Sequence, residues 1–303
     1  MQHFVGVLYL IGAFSLAGTS VIAGRFVSGS LGVFTISTVS LFFALLGLIP
    51  LCGLKLRDTL QSLSVRMWLK LLFQALFGIF LFRMFLLKGL VLTSTSEAGI
   101  LTGATPVVTA LLAWVLLREP LAKLRVLGIV STVTGILVIQ GIFSTDTEFA
   151  LEHLTGNLLV LCAALCESLF NVLSRITSVD AVEQSEELMD PIVQSTLVSG
   201  ISLLLCLVPA LMEKPFTALG VLEIVGWGAL IWYGLVVTAL AFIFWYEGIT
   251  RCNASVAAAF SGMMPFTSLI LSVLILGEQP GVEQWSGGLL VLLGMVFTGL
   301  NLP

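Results

Sequence analysis

Few charged residues stand inside the long apolar runs of this chain, and chemistry is to be sought there. A charge at the centre of a membrane helix costs about 2.5–3.5 kcal/mol on insertion, so it faces a partner or a wet cavity. Glu167 is the sharpest case: counted from Leu154, it lies 13 residues into an apolar helix. At the helical rise that is about 20 Å from the helix start, far from either interface. A carboxyl at such a depth either trades a proton with whichever face a cavity opens to, or stays neutral and hydrogen-bonded to a neighbouring helix. Arg83 and Glu97 flank a hairpin whose turn reads TSTS, and antiparallel neighbours are expected to bring them to similar depth. That pair either holds a zwitterionic or anionic solute on the guanidinium, with Glu97 as its exchangeable partner, or is a structural ion pair.

Small residues and prolines accompany these charges. Gly99-x-x-x-Gly103 and Ala258-x-x-x-Gly262 present small faces, each followed by a proline, Pro106 and Pro265. Small faces let helices approach closely, and a proline frees backbone carbonyls that either line a cavity or loosen a helix. Trp245 and Tyr246 stand beside Glu247, the counterpart of Lys88; they read as a cation-binding or stacking edge or as an aromatic belt at the membrane interface. Glu119 and Glu278 each lie just ahead of a proline and the next helix, where a carboxylate meets the positive end of a helix dipole. The five cysteines include no Cys-x-x-Cys pair, and Cys162 and Cys166, one turn apart, read as small packing residues. The two histidines, His3 and His153, lie at span ends, and neither His-Glu-x-x-His nor Gly-x-Ser-x-Gly occurs. No enzyme, metal site or cofactor is expected.

The elements that must position these residues are membrane helices. Of 303 residues 58% are apolar and 10% charged, against about 25% charge in soluble domains. That excludes a soluble globular protein and a disordered chain. Thirteen basic against 17 acidic residues supply no basic face for nucleic acid. Eight stretches free of Asp, Glu, Lys and Arg run at least 20 residues: 1–24, 26–54, 98–117, 126–145, 191–212, 224–246, 252–277 and 284–303. Two more, about 68–92 and 154–174, are interrupted by Arg83 and by Glu167. A bilayer core of about 30 Å needs roughly 20 residues of helix, so the expectation is an all-α integral membrane protein of ten transmembrane helices. The stretch MQHFVGVLYL has no basic segment ahead of its apolar run and reads as a first span that is retained. Alternating the connections places nine basic residues on the side of the termini and four on the other, which predicts both termini in the cytoplasm.

The chain also repeats itself. A shift of 159 aligns Phe85 with Phe244, Gly89 with Gly248, Ser96 with Ser255, Gly103 with Gly262, Pro106 with Pro265, Glu119 with Glu278 and Gly135 with Gly294. Nearer the start of each half, a shift of 150 pairs Gly6 with Gly156, Ala13 with Ala163 and Arg25 with Arg175. The boundaries read as 1–150 and 151–303, with five helices each. An odd number forces the second half to enter the membrane upside down, and two inverted repeats suit alternating access to one midplane site.

The segments GLVLTSTSEAGILTGATPVVTALLAWVLLREPL and GITRCNASVAAAFSGMMPFTSLILSVLILGEQP carry a resemblance to the EamA type of the drug/metabolite transporter superfamily. It covers essentially the whole chain. The resemblance implies a multi-pass secondary transporter of the plasma (cell inner) membrane, most often an exporter of amino acids, related metabolites or toxic compounds. The reading is then a proton-coupled exporter whose partners are a small-molecule solute and the lipid bilayer, as monomer or homodimer. A passive facilitator or channel, and a non-transporting scaffold or sensor, are the alternatives.

Overall fold

Long runs without a charge leave the backbone in lipid no hydrogen-bond partner but itself, and helix is the consequence. In a computed structural model the described residues are 2–53, 55–117, 123–139, 151–183, 189–251, 260 and 263–299, and they are almost wholly helical. The first half holds α1 (Gln2–Val27), α2 (Val33–Cys52), a short amphipathic α3 (Lys55–Ser62), α4 (Val65–Ala75), α5 (Phe82–Leu92), α6 (Thr95–Leu101), α7 (Thr105–Leu117) and α8 (Lys123–Ile139). The second holds α9 (Leu151–Glu183), α10 (Pro191–Met212), a short α11 (Pro215–Gly220), α12 (Ile224–Trp232), α13 (Ala241–Arg251), α14 (Met263–Leu276) and α15 (Val282–Gly299).

Among the described residues six stretches are long and apolar enough to cross a bilayer: Phe4–Val27, Val33–Cys52, Val65–Leu92, His153–Ser174, Pro191–Met212 and Ile224–Arg251. The four other expected spans correspond to α6 and α7 with the turn between them, and to α8, α14 and α15, of which the last three run 17, 14 and 18 residues in their described parts. Those lengths fall below the roughly 20 residues of a straight crossing. The outer faces suit lipid: Phe42, Leu46 and Ile49 on α2 and Leu204, Val208 and Leu211 on α10 are all exposed. A soluble protein rarely leaves so continuous an apolar patch open.

Helix starts are set by short polar residues. Ser64 caps α4 by accepting from Met67 N, Ser94 caps α6 by accepting from Glu97 N, and Asp190 caps α10 by accepting from Ile192 N, ahead of Pro191 at the first helical turn. Each cap meets one of the four amides a helix start leaves without a partner.

Two membrane-length stretches are not α-helical throughout. A π-helical segment, Leu76–Leu81, joins α4 to α5, and another, Tyr233–Leu240, joins α12 to α13. A shift of 159 carries 76–81 onto 235–240, inside the second segment. Widened turns of this kind interrupt α-helices mostly at functional positions.

Helix pairing follows the same exchange. In the first half's pairing α5 packs on α9, and in the second half's α13 packs on α1; α8 pairs with α15 and α2 with α10. The register holds at single residues. Gly89 lies against Val160 and Gly248 against Leu10, while Gly135 lies against Gly287 and Val291 and Gly294 against Gly128 and Thr132. A Cβ at Gly89 would stand 2.8 Å from Val160 Cγ2, and one at Gly248 2.7 Å from Leu10 Cδ2. The repeated glycines are therefore points of close helix approach.

Candidate functional site

A cavity of about 90 Å³ lies where these pairs converge, bounded by α1, both π-segments, α5, α9, α13 and α14. Ten of its seventeen lining residues fall in equivalent pairs from the two halves. Gly78 and Val237, Phe82 and Ala241, and Arg83 and Phe242 are related by the shift of 159. Ala17 and Glu167, and Ser20 and Phe170, are related by the shift of 150. Positions that the two sequence shifts relate thus meet at the cavity. The charges break that symmetry: Arg83 faces an equivalent phenylalanine and Glu167 an equivalent alanine.

Arg83 is 4% exposed. One guanidinium nitrogen donates to Ser40 Oγ at 2.7 Å, another donates to Thr238 Oγ1, and the group stacks over the Tyr233 ring at 4.4 Å. Both hydroxyls give their own proton to a main-chain carbonyl, Ser40 to Ser37 O and Thr238 to Tyr233 O. Only lone pairs therefore face the arginine. The Thr238 to Tyr233 bond spans five residues, so the widened turn of the π-segment itself orients this acceptor.

Glu167 accepts a hydrogen bond from Thr105 Oγ1 at 2.9 Å, and its neighbour Ser168 donates to Thr105 O at 2.9 Å. Thr105 opens α7 immediately after a single 3₁₀ turn, Thr102–Ala104, that separates it from α6. The broken helix is thus stitched to α9 at the depth of the cavity. Gly103 is buried within that turn. Pro106 is the second residue of α7, so the predicted irregularity lies just before it. Pro265 is buried at the third position of α14, and Gly262 and Glu119 lie outside the described residues. Trp245 lines the cavity and stands edge-on to Phe14 at 5.5 Å.

The expected pairing of Arg83 with Glu97 does not form. Glu97 is buried in a different place, at the end of the bundle where α5 and α14 stop and α6 and α9 begin. It accepts from Thr93 Oγ1 at 3.0 Å and Asn157 Nδ2 at 2.8 Å, and lies 3.1 Å from His153 Nδ1. The reason is depth. Arg83 precedes the hairpin turn at Thr93 by ten residues whereas Glu97 follows it by four, a difference of about 9 Å at 1.5 Å per residue. Glu97 instead lines a polar pocket of about 550 Å³ with Arg25, His153, Glu278 and Gln284.

Two carboxylates close that end by capping helices of the other half. Glu278 accepts from Thr95 N at 3.0 Å, Ser96 N at 2.8 Å and Ser96 Oγ. Burial pushes the Glu278 carboxyl up, but these bonds from Ser96 and Thr95 outweigh it and hold the group below its ordinary value. Glu213 does the same for α2, accepting from Phe34 N at 3.2 Å, Thr35 N at 2.7 Å and Thr35 Oγ1 at 2.8 Å. At the opposite end Lys55 Nζ bonds Asp190 Oδ2 at 2.8 Å, and Gln74 joins α4, α9, α10 and α13 through Thr177, Gln194 and Tyr246. Glu247 pairs with Arg251 on its own helix, and Lys88 is exposed. Among the described residues Cys52, Cys162, Cys166 and Cys206 are free thiols, and no three potential ligands gather for a metal.

Sequence reasoning missed the hydroxyl cradle of Arg83, the stacking of Tyr233 and the Gln74 network. One signal was present: Tyr233 is the counterpart of Gln74 under the shift of 159, so both halves place a hydrogen-bonding side chain at that position.

The geometry has counterparts in known proteins. The sequence model of the EamA-like transporter family matches the chain twice, over residues 4–141 and 154–300. The uncharacterized transporter YetK of Bacillus subtilis (strain 168) is 32% identical over 270 residues, covering 89% of this chain and 79% of its own. The WAT1-related protein At5g47470 of Arabidopsis thaliana is 25% identical over 312 residues, covering 96% and 84%. A protein solved by crystallography superposes with a TM-score of 0.63 at 20% identity, over 96% of this chain and 95% of the other, and so shares the fold. Two family matches that between them take in nearly every residue place this multi-pass membrane protein in the EamA-like transporter family.

Proposed function

We propose that the protein is a secondary transporter that exports small metabolites, such as amino acids or amphiphilic toxic compounds, from the cytoplasm by alternating access coupled to protons. The observation that carries this reading is the central cavity, lined by positions that the two sequence shifts relate and charged, among the described residues, through Arg83 and Glu167 alone. Related halves with interchangeable packings expose one central site first to one side and then to the other. In this reading residues 1–150 and 151–303 are two inverted five-helix repeats, the bundle has ten transmembrane helices, and both termini face the cytoplasm of the plasma membrane.

Glu167 is the coupling carboxylate. Its hydroxyl partner Thr105 supports either protonation state, because a Thr hydroxyl both donates and accepts. Arg83 and Trp245 face the solute, while Glu97 belongs to the polar mouth. Gly103 and Pro106 mark where the fourth span breaks, and Pro265 is the counterpart of Pro106.

The test is uptake of labelled amino acids and amphiphilic amines into inside-out vesicles, with and without an imposed pH gradient, for the native protein and Glu167→Gln. Gradient-dependent uptake of one class, lost in the variant, supports the reading. Equal uptake by both proteins makes Glu167 structural and removes the coupling, and no flux of any solute removes transport.

A further inference from the structure

We propose that the central cavity takes its solute by an anionic headgroup, held by Arg83, Tyr233, Ser20 and Trp245, with an apolar or aromatic body lying against Phe82 and Phe170. This rests on the cavity being the solute site.

The first observation is the arginine's company. A buried guanidinium is ordinarily matched by a carboxylate, since its desolvation is otherwise uncompensated. Among the described residues Arg83 has none: its partners are two neutral hydroxyls and the face of a tyrosine ring. The two hydroxyls engage two of the five N–H donors an arginine carries. The cation is thus held in place without being neutralised, and it lines the cavity.

The second observation is independent of Arg83. The Tyr233 hydroxyl, the Ser20 hydroxyl and the Trp245 Nε1 are buried atoms with no hydrogen-bond partner among the described residues, and all three residues line the same cavity. Tyr233 is 1% and Ser20 2% exposed. A buried polar atom without a partner is destabilising, and here three such atoms belong to residues that line one cavity. Indole N–H only donates, and the two hydroxyls each have a proton to give. Three neutral donors beside an unpaired guanidinium form an arrangement that a carboxylate or another oxyanion satisfies and that an ammonium cannot.

Shape and surroundings set the rest of the molecule. Apart from Asn171 and Glu167 the remaining wall is aromatic and aliphatic, so the body that follows the anion is mainly apolar. Glu167 lies across the same cavity. At about 90 Å³ the cavity has room for a few water molecules, and the solute enters as its lining parts.

The experiment uses three labelled probes with one body and three headgroups: phenylacetate, phenylacetamide and phenethylamine. Each is taken to equilibrium by dialysis against the purified full chain in detergent micelles, with protein-free micelles as the blank. Retention of phenylacetate, with the amide and amine held roughly tenfold to hundredfold more weakly, is the expected result, matching the loss of charge-assisted hydrogen bonds. Arg83→Gln should abolish the preference for the anion. Tyr233→Phe, which removes one hydroxyl and leaves the ring under the guanidinium, should weaken phenylacetate several-fold and keeps the test decisive if Arg83→Gln does not fold. Equal retention of phenylacetate and phenylacetamide, preference for the amine, unchanged binding in both variants, or no retention of phenylacetate at millimolar concentration overturns the proposal. The vesicle assay separates the two readings. Binding through Arg83 without gradient-driven uptake keeps the anion site and removes coupling, whereas gradient-driven uptake of an amine that ignores Arg83 keeps transport and removes the anion site.

Discussion

Glu278→Gln is the substitution whose cost the structure allows to be worked most directly. The carboxylate receives two main-chain amides and a hydroxyl at the start of α6, from Thr95 N, Ser96 N and Ser96 Oγ. A glutamine presents one acceptor oxygen and one NH2 group, so at least one of these amides meets a donor instead of an acceptor. A hydrogen bond to a charged group is worth about 1.5–3 kcal/mol, and partial exposure of Glu278 argues for the lower half, so the opening of α6 should become easier by about 2 kcal/mol. That is roughly thirtyfold in the opening equilibrium. Hydrogen exchange followed by mass spectrometry reads this locally, because amide protection reports the free energy of opening of each segment. Peptides covering 95–101 should exchange about thirtyfold faster in the variant, while those from the start of α2, held by Glu213, should not change. Acid should mimic the variant. The folded carboxyl lies below its unfolded value, so its contribution is complete above about pH 4.3 and is lost as pH falls through the folded value. Native-like exchange at 95–101 in Glu278→Gln, after correction for intrinsic rates, would refute the claim that this carboxylate holds the helix start.

Close packing gives a sharper structural test at Gly234. A Cβ there lands on the main-chain oxygen of Ser40 and stands 2.9 Å from Phe43 Cβ; Gly234→Ala should therefore cost about 1–3 kcal/mol by overpacking and loosen Arg83 through Ser40. Gly200→Ala, where nothing lies within 4 Å, should leave the thermal midpoint in detergent where it was, and an equal drop in both would sink the argument. The Lys55 and Asp190 contact is exposed, so Lys55→Gln should lower the midpoint slightly at low salt and not at all at high salt. Burial pushes the Asp190 carboxyl up, but Lys55 and the Ile192 and Val193 amides together outweigh it and hold the group below its ordinary value, and Lys55 is held above its own by the Asp190 bond. The Asp190 contribution is present above about pH 3.9 and lost as pH falls through its folded value, whereas the Lys55 contribution is present below about pH 10.4 and lost as pH rises through its folded value. A variant whose deficit grew with salt would contradict that assignment.

How much of this was legible varied from residue to residue. Arg83 and Glu167 announced themselves, since a charge inside an apolar run needs a purpose, and both line the central cavity. The repeat was legible as well: the paired glycines at 89 and 248, and at 135 and 294, are contact points in the fold. Glu97 was misplaced because hairpin neighbours were assumed to share a depth, which holds only for residues equidistant from the turn. The Ser40 and Thr238 hydroxyls were illegible for a different reason. In membrane helices such groups usually spend their proton on a carbonyl of the preceding turn, and nothing in their spacing says which of them also accepts from a cation. The π-segments left no mark because LFGIFL is apolar on every side and YGLVVTAL carries only Tyr233 and Thr238 as polar residues, too few for one extra residue in a turn to disturb a pattern of polar and apolar positions.

The two widened turns also bear on what a change of conformation must break. An ordinary helix that rotates its residues about its axis has to unwind somewhere and forfeit backbone bonds that lipid cannot replace. A π-segment carries its surplus residue already. It can travel one position along the chain by exchanging one bond of five-residue span for one of four, and the residue it passes turns by about 100° while the count of bonds stays the same. Arg83 sits two residues beyond the first segment, and Tyr233 begins the second. The guanidinium and the ring beneath it are thus mounted on the only described stretches of the bundle that can re-aim a side chain without uncovering the backbone.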